Sequence, residues 1–291
     1  MASVFQTGMD LVEKVWRTNK NYYIRDIDTA NKKCLILFSS NGLYAPNTKE
    51  AFEEKIIKND RYDFKNVTNC RKVEKQFGRI IYVRDLWRAW YIRGINAAED
   101  SIDKLIIKLK ELTEGYQVVT AGSSAGGYMA VIAGIALHAE KVLCFSGQFY
   151  IEQHLRHKIM QKYEEDMERN KYFDITGLIE NTDVPIIYFY PKGYAGDIKQ
   201  AERVKDCENV IMFAFDYAEH AQTVVPYNFK YLFNMSVKRY RKLSDRYGKR
   251  EFKSLEFLFI TGGAEGAVDC IKSVFHTMRK KFVKKELEEH R

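Results

Sequence analysis

Proline is scarce in this sequence, with four in 291 residues, and the 17 glycines follow no repeat. A collagen-like or linker-rich architecture is thereby excluded. No apolar run approaches the ~20 residues that a bilayer-spanning helix needs. The opening MASVFQTGMDLVEKVW lacks a basic stretch followed by an apolar one, so no secretory leader is expected. The cysteines, Cys34, Cys70, Cys144, Cys207 and Cys270, are five in number and widely spaced, with no CxxC pair. Reduced, mostly buried thiols in a cytoplasm are the expectation. Internal repeats, low-complexity blocks and linkers are missing as well, so residues 1–291 read as a single domain.

What is present is an ordinary globular composition, 46% hydrophobic and 30% charged. The net charge of +8 gathers toward the C-terminus, in Lys238, Arg239, Arg241, Lys242, Arg246, Lys249, Arg250 and Lys253, then Arg279, Lys280, Lys281, Lys284 and Lys285. A solvated helix face accounts for such a cluster. An anionic substrate, an acidic lipid or nucleic acid would also be attracted to it. No nucleic-acid module accompanies the charge, so no specific nucleic-acid partner is expected.

Continuous apolar runs at 33–39, 79–83, 117–121, 141–145, 185–190 and 209–215 read as buried strands. Residues 255–260 read as one more, and 21–27 as an early antiparallel strand. Between them, 97–112 places Ile102, Leu105, Ile106, Leu109 and Leu112 on one helical face. Residues 126–139 form an almost wholly apolar helix, and 197–207, 221–241 and 264–285 are further helical segments. Apolar strands alternating with helices indicate an α/β fold, a mostly parallel sheet with helices on both faces. The charged segment 148–182 is a short helical insertion, a cap or a long crossover, and 248–291 is a C-terminal strand–helix extension.

The stretch that carries chemistry is Gly122-Ser-Ser124-Ala-Gly126-Gly127. It follows a strand, opens a small-residue helix and matches G-x-S-x-G with Ser124 at its centre. A sharp strand-to-helix turn exposes the central hydroxyl and leaves little room beside it, hence the flanking glycines. The helix aims its positive end at the same point, and the N–H of Ala125 is placed to hold an oxyanion. Neither GxGxxG nor GxxxxGK[ST] is present, so the standard nucleotide loops do not fit.

A serine nucleophile needs a base and an acid to orient it. Both are expected at later strand ends, acid before histidine. Of six histidines, His220 alone follows a strand end, after 209–215. His154 and His157 lie on the insertion, His276 and His290 on the C-terminal helix, and His138 ends the helix after the elbow. Asp197 follows the strand 185–190 and a glycine-containing loop, and is the preferred acid. Asp216 is the runner-up, with Glu219 and Asp206 weighed behind it. A second oxyanion donor is expected in the loop Ser40-Asn41-Gly42, from the backbone of Asn41 or Gly42. Arg84, Trp87, Arg88 and Trp90, after the strand 79–83, combine cations and ring faces suited to a glycan. Packing on the sheet explains them equally well.

With Gly-Ser-Ser124-Ala-Gly-Gly, Asp197 and His220 in this order, the sequence resembles the α/β-hydrolase superfamily over roughly residues 33–226. The stretches 122–134 and 141–148, with Arg84-Asp-Leu-Trp-Arg-Ala-Trp-Tyr91, are similar to hydrolase-like proteins associated with bacterial surface-polysaccharide assembly. The resemblance implies ester, thioester or amide cleavage, or acyl transfer, through a covalent serine intermediate, with no metal or organic cofactor. The expected substrate is a small-molecule or glycan acyl group. Two departures stand out: the usual His-Gly of the oxyanion strand is Ser40-Asn41-Gly42 here, and the chain runs on well past His220. The alternative reading is a non-catalytic protein of the same fold that binds an acidic glycan, lipid or protein.

Overall fold

The computed structural model of the chain describes residues 10–151, 163, 165–216, 219–247 and 250–289, the last ten as backbone only. His154, His157 and His290 lie outside the described residues, as do 152–162 and 164 of the 148–182 insertion. The sheet has eight strands: β1 (Tyr22–Asp26), β2 (Lys33–Phe38), β3 (Arg79–Val83), β4 (Gln117–Ser123), β5 (Lys141–Phe145), β6 (Ile186–Pro191), β7 (Val210–Phe215) and β8 (Glu251–Phe252). Their order is β1-β3-β2-β4-β5-β6-β7-β8. β1 pairs antiparallel with β3, and every other pairing is parallel.

Because side chains alternate across a strand, the inner strands feed two cores. Cys34, Ile36 and Phe38 of β2 face one layer, while Leu35 and Leu37 face the other. The longer helices are α1 (Asp10–Thr18), α2 (Ile102–Leu112), α3 (Ala125–Ala136), α4 (Ala195–Val204), α5 (Val237–Tyr247) and α6 (Ser254–Glu289). α3 is buried along almost its whole length, which its lack of polar residues permits. Gly134 lets it lie on the sheet, since a Cβ there would stand 2.3 Å from a methyl of Val142.

The expected strand at 255–260 is corrected to a helix. Phe257, Leu258 and Thr261 are buried while Leu255 and Phe259 are exposed, a helical period rather than a two-residue one. The strand of this region is the short β8. The helix expected over 221–241 is likewise broken: Pro226 begins a 3₁₀ turn, Pro226–Asn228, and a four-residue helix, Phe229–Leu232, precedes α5. Proline has no N–H to continue a helix across that point. All five cysteines are unpaired thiols.

The segment after β3 is organised by a buried carboxylate. Asp85 accepts backbone N–H bonds from Trp87 (2.9 Å), Ala89 (2.7 Å) and Tyr91 (3.0 Å). Those bonds hold a loop in which Arg88, Trp90 and Tyr91 all take positive φ. Arg84 is buried, bonded to Asn21 Oδ1 (3.2 Å) and the Arg61 carbonyl (3.0 Å) and paired with Asp60 (2.8 Å). Trp87 packs edge-on against Trp16, and Trp90 Nε1 donates to Gln148 Oε1 at 2.6 Å. Arg84, Trp87 and Trp90 therefore belong to the interior, which corrects the expectation that they face a substrate. Arg88 is only half buried, and its Nε and Nη1 have no hydrogen-bond partner.

Burial raises Asp85 to about 6 against the backbone N–H groups around it. In the unfolded chain the group titrates near ~3.9. As pH rises, the unfolded chain releases this proton first, so the contribution to stability present below ~4 is lost by the time pH passes about 6. The loss amounts to about 3 kcal/mol. Urea unfolding at pH 4 and pH 7 is expected to show a decline larger by this amount in the wild type than in Asp85→Asn. Equal pH dependence in the two proteins would refute it.

Candidate active site

Three loops at the C-terminal edge of the sheet meet at one point. β4 ends at Ser123, α3 starts at Ala125, and Ser124 between them takes φ 55° and ψ −121°. A non-glycine residue in that region carries about 1–3 kcal/mol of strain and needs its surroundings to hold it. Its N–H donates to the Phe145 carbonyl (2.8 Å), and its carbonyl accepts from Tyr128 N–H (3.0 Å). The flanking glycines are steric necessities. A Cβ on Gly122 would lie 2.1 Å from the Gly126 carbonyl oxygen, and one on Gly126 would lie 2.1 Å from that of Phe38.

His220 reaches the elbow from the loop after β7. Its Nε2 is 2.8 Å from Ser124 Oγ, and its Nδ1 is 2.7 Å from Asp197 Oδ2. The loop is anchored one residue on, where Ala221 N–H donates to Ser146 Oγ at 3.1 Å. Asp197 sits in the first turn of α4, just beyond β6, and is 1% exposed. Desolvation raises its pKa, against the hydrogen bond and charge of His220. Its second oxygen, Oδ1, has no hydrogen-bond partner. Asp216 points its backbone elsewhere, its N–H donating to the Phe252 carbonyl, and Glu219 accepts from Gln222. The imidazole thus has Asp197 as its carboxylate.

The loop after β2 is tied down by a residue with no distinguishing motif around it. Asp63 accepts from both the N–H (2.9 Å) and the hydroxyl (2.8 Å) of Ser40. Its own N–H donates to Ser39 Oγ at 3.1 Å. The Ser40 hydroxyl accepts from Gly42 N–H at 3.2 Å. Ser40 and Gly42 are therefore committed within the loop. Asn41 lies between them, and no backbone bond from its N–H is found among the described residues.

A cavity of about 270 Å³ opens beside the elbow, lined by Ser123, Phe145, Ala221, Thr223, Val224 and Phe229 among others. Three phenylalanines stand in its wall, Phe64, Phe145 and Phe229, the last two edge to face. The buried hydroxyls of Ser123 and Thr223 have no hydrogen-bond partner. Through Asp63, Phe64 and Val67 it shares a wall with a wider cleft of about 1300 Å³, where Lys55, Arg61, Lys65 and Tyr227 stand. No group of three or more potential metal ligands converges among the described residues. Sequence reasoning missed Asp63, Ser146 and Thr223. The apolar strand before Ser146 is the only local signal for any of them.

No protein-family model matches the sequence, and a search of curated proteins also finds no match. Solved structures do match. A capsule O-acetyltransferase of Neisseria meningitidis serogroup A superposes with a TM-score of 0.50 and 12% identity, over 80% of this chain and 93% of that chain. An α/β-hydrolase enzyme from the sediment metagenome of the Mar Chica lagoon, Morocco, gives 0.46 and 13%, over 79% and 98%. An esterase from Thermogutta terrifontis gives 0.42 and 15%, over 77% and 87%. At such identities the likeness is one of fold.

Proposed function

We propose, from the premise that the chain has the α/β-hydrolase fold, that it is a serine hydrolase or acyltransferase acting on an ester or similar acyl bond, carried by a carbohydrate or other glycan-like alcohol. The observation that supports this most strongly is the 2.8 Å contact between Ser124 Oγ and His220 Nε2, continued at 2.7 Å from Nδ1 to Asp197. In this reading Ser124 Oγ attacks the acyl carbon while His220 Nε2 takes its proton. Asp197 holds Nδ1–H, fixes the tautomer and stabilises the imidazolium. The C–O bond to the alcohol then breaks, and His220 returns the proton to the leaving oxygen. Water or an acceptor hydroxyl repeats the sequence on the acyl-Ser124 and frees the enzyme. The N–H of Ala125, at the positive end of α3, and that of Asn41 hold the oxyanion. Each donor of this kind contributes about 10²–10³ in rate.

The 270 Å³ cavity takes the acyl group. It lies just under the ~300 Å³ lower end of ordinary ligand pockets, so the acyl chain is short. The wider cleft takes the alcohol portion, with Lys55, Arg61 and Lys65 as its cations. Arg88 lines neither space, and its Nε and Nη1 are buried. The test is a series of p-nitrophenyl esters. Acetate or butyrate is expected to exceed decanoate in kcat/KM by roughly tenfold or more. Phe229→Ala should narrow that ratio by lengthening the pocket. No hydrolysis of any ester would count against the function, and an unchanged chain-length preference in Phe229→Ala would count against the pocket.

A further inference from the structure

Beyond the break at Gly263 (φ 59°), α6 is apolar on the wrong side. Its inward face is made of small and polar residues, with Gly266, Asp269 and Ser273 buried. Asp269 accepts from the Tyr231 hydroxyl at 2.5 Å and pairs with Lys230 at 2.7 Å, which fixes this side of the helix against the body. The outward face carries Val268, Ile271, Phe275 and Met278, which are 51%, 59%, 68% and 53% exposed. Their spacing of three, four and three residues puts them within an arc of about 80°, roughly opposite the buried positions. Chains without a partner rarely leave a contiguous apolar stripe of this kind in water.

The charge around the stripe decides what covers it. Lys272 and Arg279 are both exposed and border the stripe on one side. From Cys270 to Lys285 the sequence holds six cations, Lys272, Arg279, Lys280, Lys281, Lys284 and Lys285, and no acidic residue. Two copies of this face laid together would bring like charges into contact. An anionic lipid surface instead offers phosphates to the cations and an apolar boundary to the stripe. Lysine and arginine stems reach upward beside buried hydrophobes in that setting. Among the described residues no helix is long and apolar enough to cross a membrane, so the geometry is that of a helix lying in the interface.

We infer that α6 docks this protein onto an anionic membrane surface, with Val268, Ile271, Phe275 and Met278 entering the headgroup–acyl boundary and Lys272 and Arg279 meeting the phosphates. Ser273, His276 and Thr277 of the same helix line the wider cleft, so the docked helix would stand between the cleft and the lipid surface. The inference does not depend on the acyl chemistry.

The test is co-sedimentation of the full chain with vesicles of about three parts phosphatidylcholine to one part phosphatidylserine. The expected result is binding to these vesicles, with affinity at least about tenfold weaker for pure phosphatidylcholine or at ~0.5 M salt. Phe275→Glu and Ile271→Glu should abolish it, as should Lys272→Glu with Arg279→Glu through the charge alone. An unchanged urea midpoint would show that these variants are folded. No sedimentation with the anionic vesicles would overturn the inference. So would a micromolar dimer in solution that Phe275→Glu dissolves, because the stripe would then belong to a second copy of the chain.

Discussion

Ser124→Ala is expected to lower kcat for a short ester by about 10⁶ while leaving the urea unfolding curve unchanged. The expectation follows from what the substitution removes. The strained turn depends on backbone bonds to Phe145 and Tyr128, and alanine keeps both. Gly122 and Gly126 still provide the close approach. Only the hydroxyl that bonds His220 Nε2 is lost, and with it the covalent route. The residual rate would come from the oxyanion donors and substrate positioning. A pre-steady-state burst of p-nitrophenol, if present in the wild type, should vanish in the variant. A kcat within tenfold of the wild type would remove Ser124 from the chemistry.

Asp197→Asn is expected to lower kcat by about 10⁴ without lowering stability at neutral pH. The carboxamide either turns its NH₂ toward Nδ1, which favours the wrong tautomer, or loses the charge that stabilises the imidazolium. The stability half of the prediction comes from burial. Desolvation raises the Asp197 pKa above its ordinary value, so the folded state holds this proton more tightly than the unfolded chain. Its contribution to stability is therefore present at acid pH and lost as pH rises through the folded pKa. The uncharged asparagine escapes that loss. Its urea midpoint at pH 7 should equal or exceed that of the wild type. If turnover falls while stability holds, a buried charge that weakens the fold is held there for function. Near-normal kcat in Asp197→Asn would transfer the acid role to Asp216.

Strand identity was legible where burial on both faces makes a run continuously apolar, as in KCLILF of β2 and RIIYV of β3. It was not legible at 255–260, where an apolar run of similar length winds into α6. The choice there depends on tertiary contacts of Phe257 and Leu258, which no local pattern encodes. Ser124 stands out because the elbow needs glycines at fixed spacing. Asp197 and His220 stand out because strand ends of a parallel sheet share one edge. The side chains of these three residues lie within 2.8 Å of their neighbours in the structure.

The supporting residues leave no such trace. Asp63 braces Ser40 from 23 positions away, and that distance is set by the fold. The Arg84–Trp90 segment reads as a binding surface because cations and rings serve packing and recognition equally well. What separates the two is burial, and the buried Asp85 that gathers the loop decides it. The exposed stripe on α6 has the same cause in reverse. Its apolar spacing reads as core-facing until the polar inward face is seen.

The central claim is that His220 activates Ser124, and the most direct measurement is the intact mass of the folded protein after exposure to a fluorophosphonate. The account predicts a single adduct in the wild type, mapped to the peptide containing Ser124, and none in Ser124→Ala or His220→Ala. A folded wild-type chain that takes up neither the fluorophosphonate nor a smaller organophosphate would contradict it, and the fold would then serve as a binding scaffold.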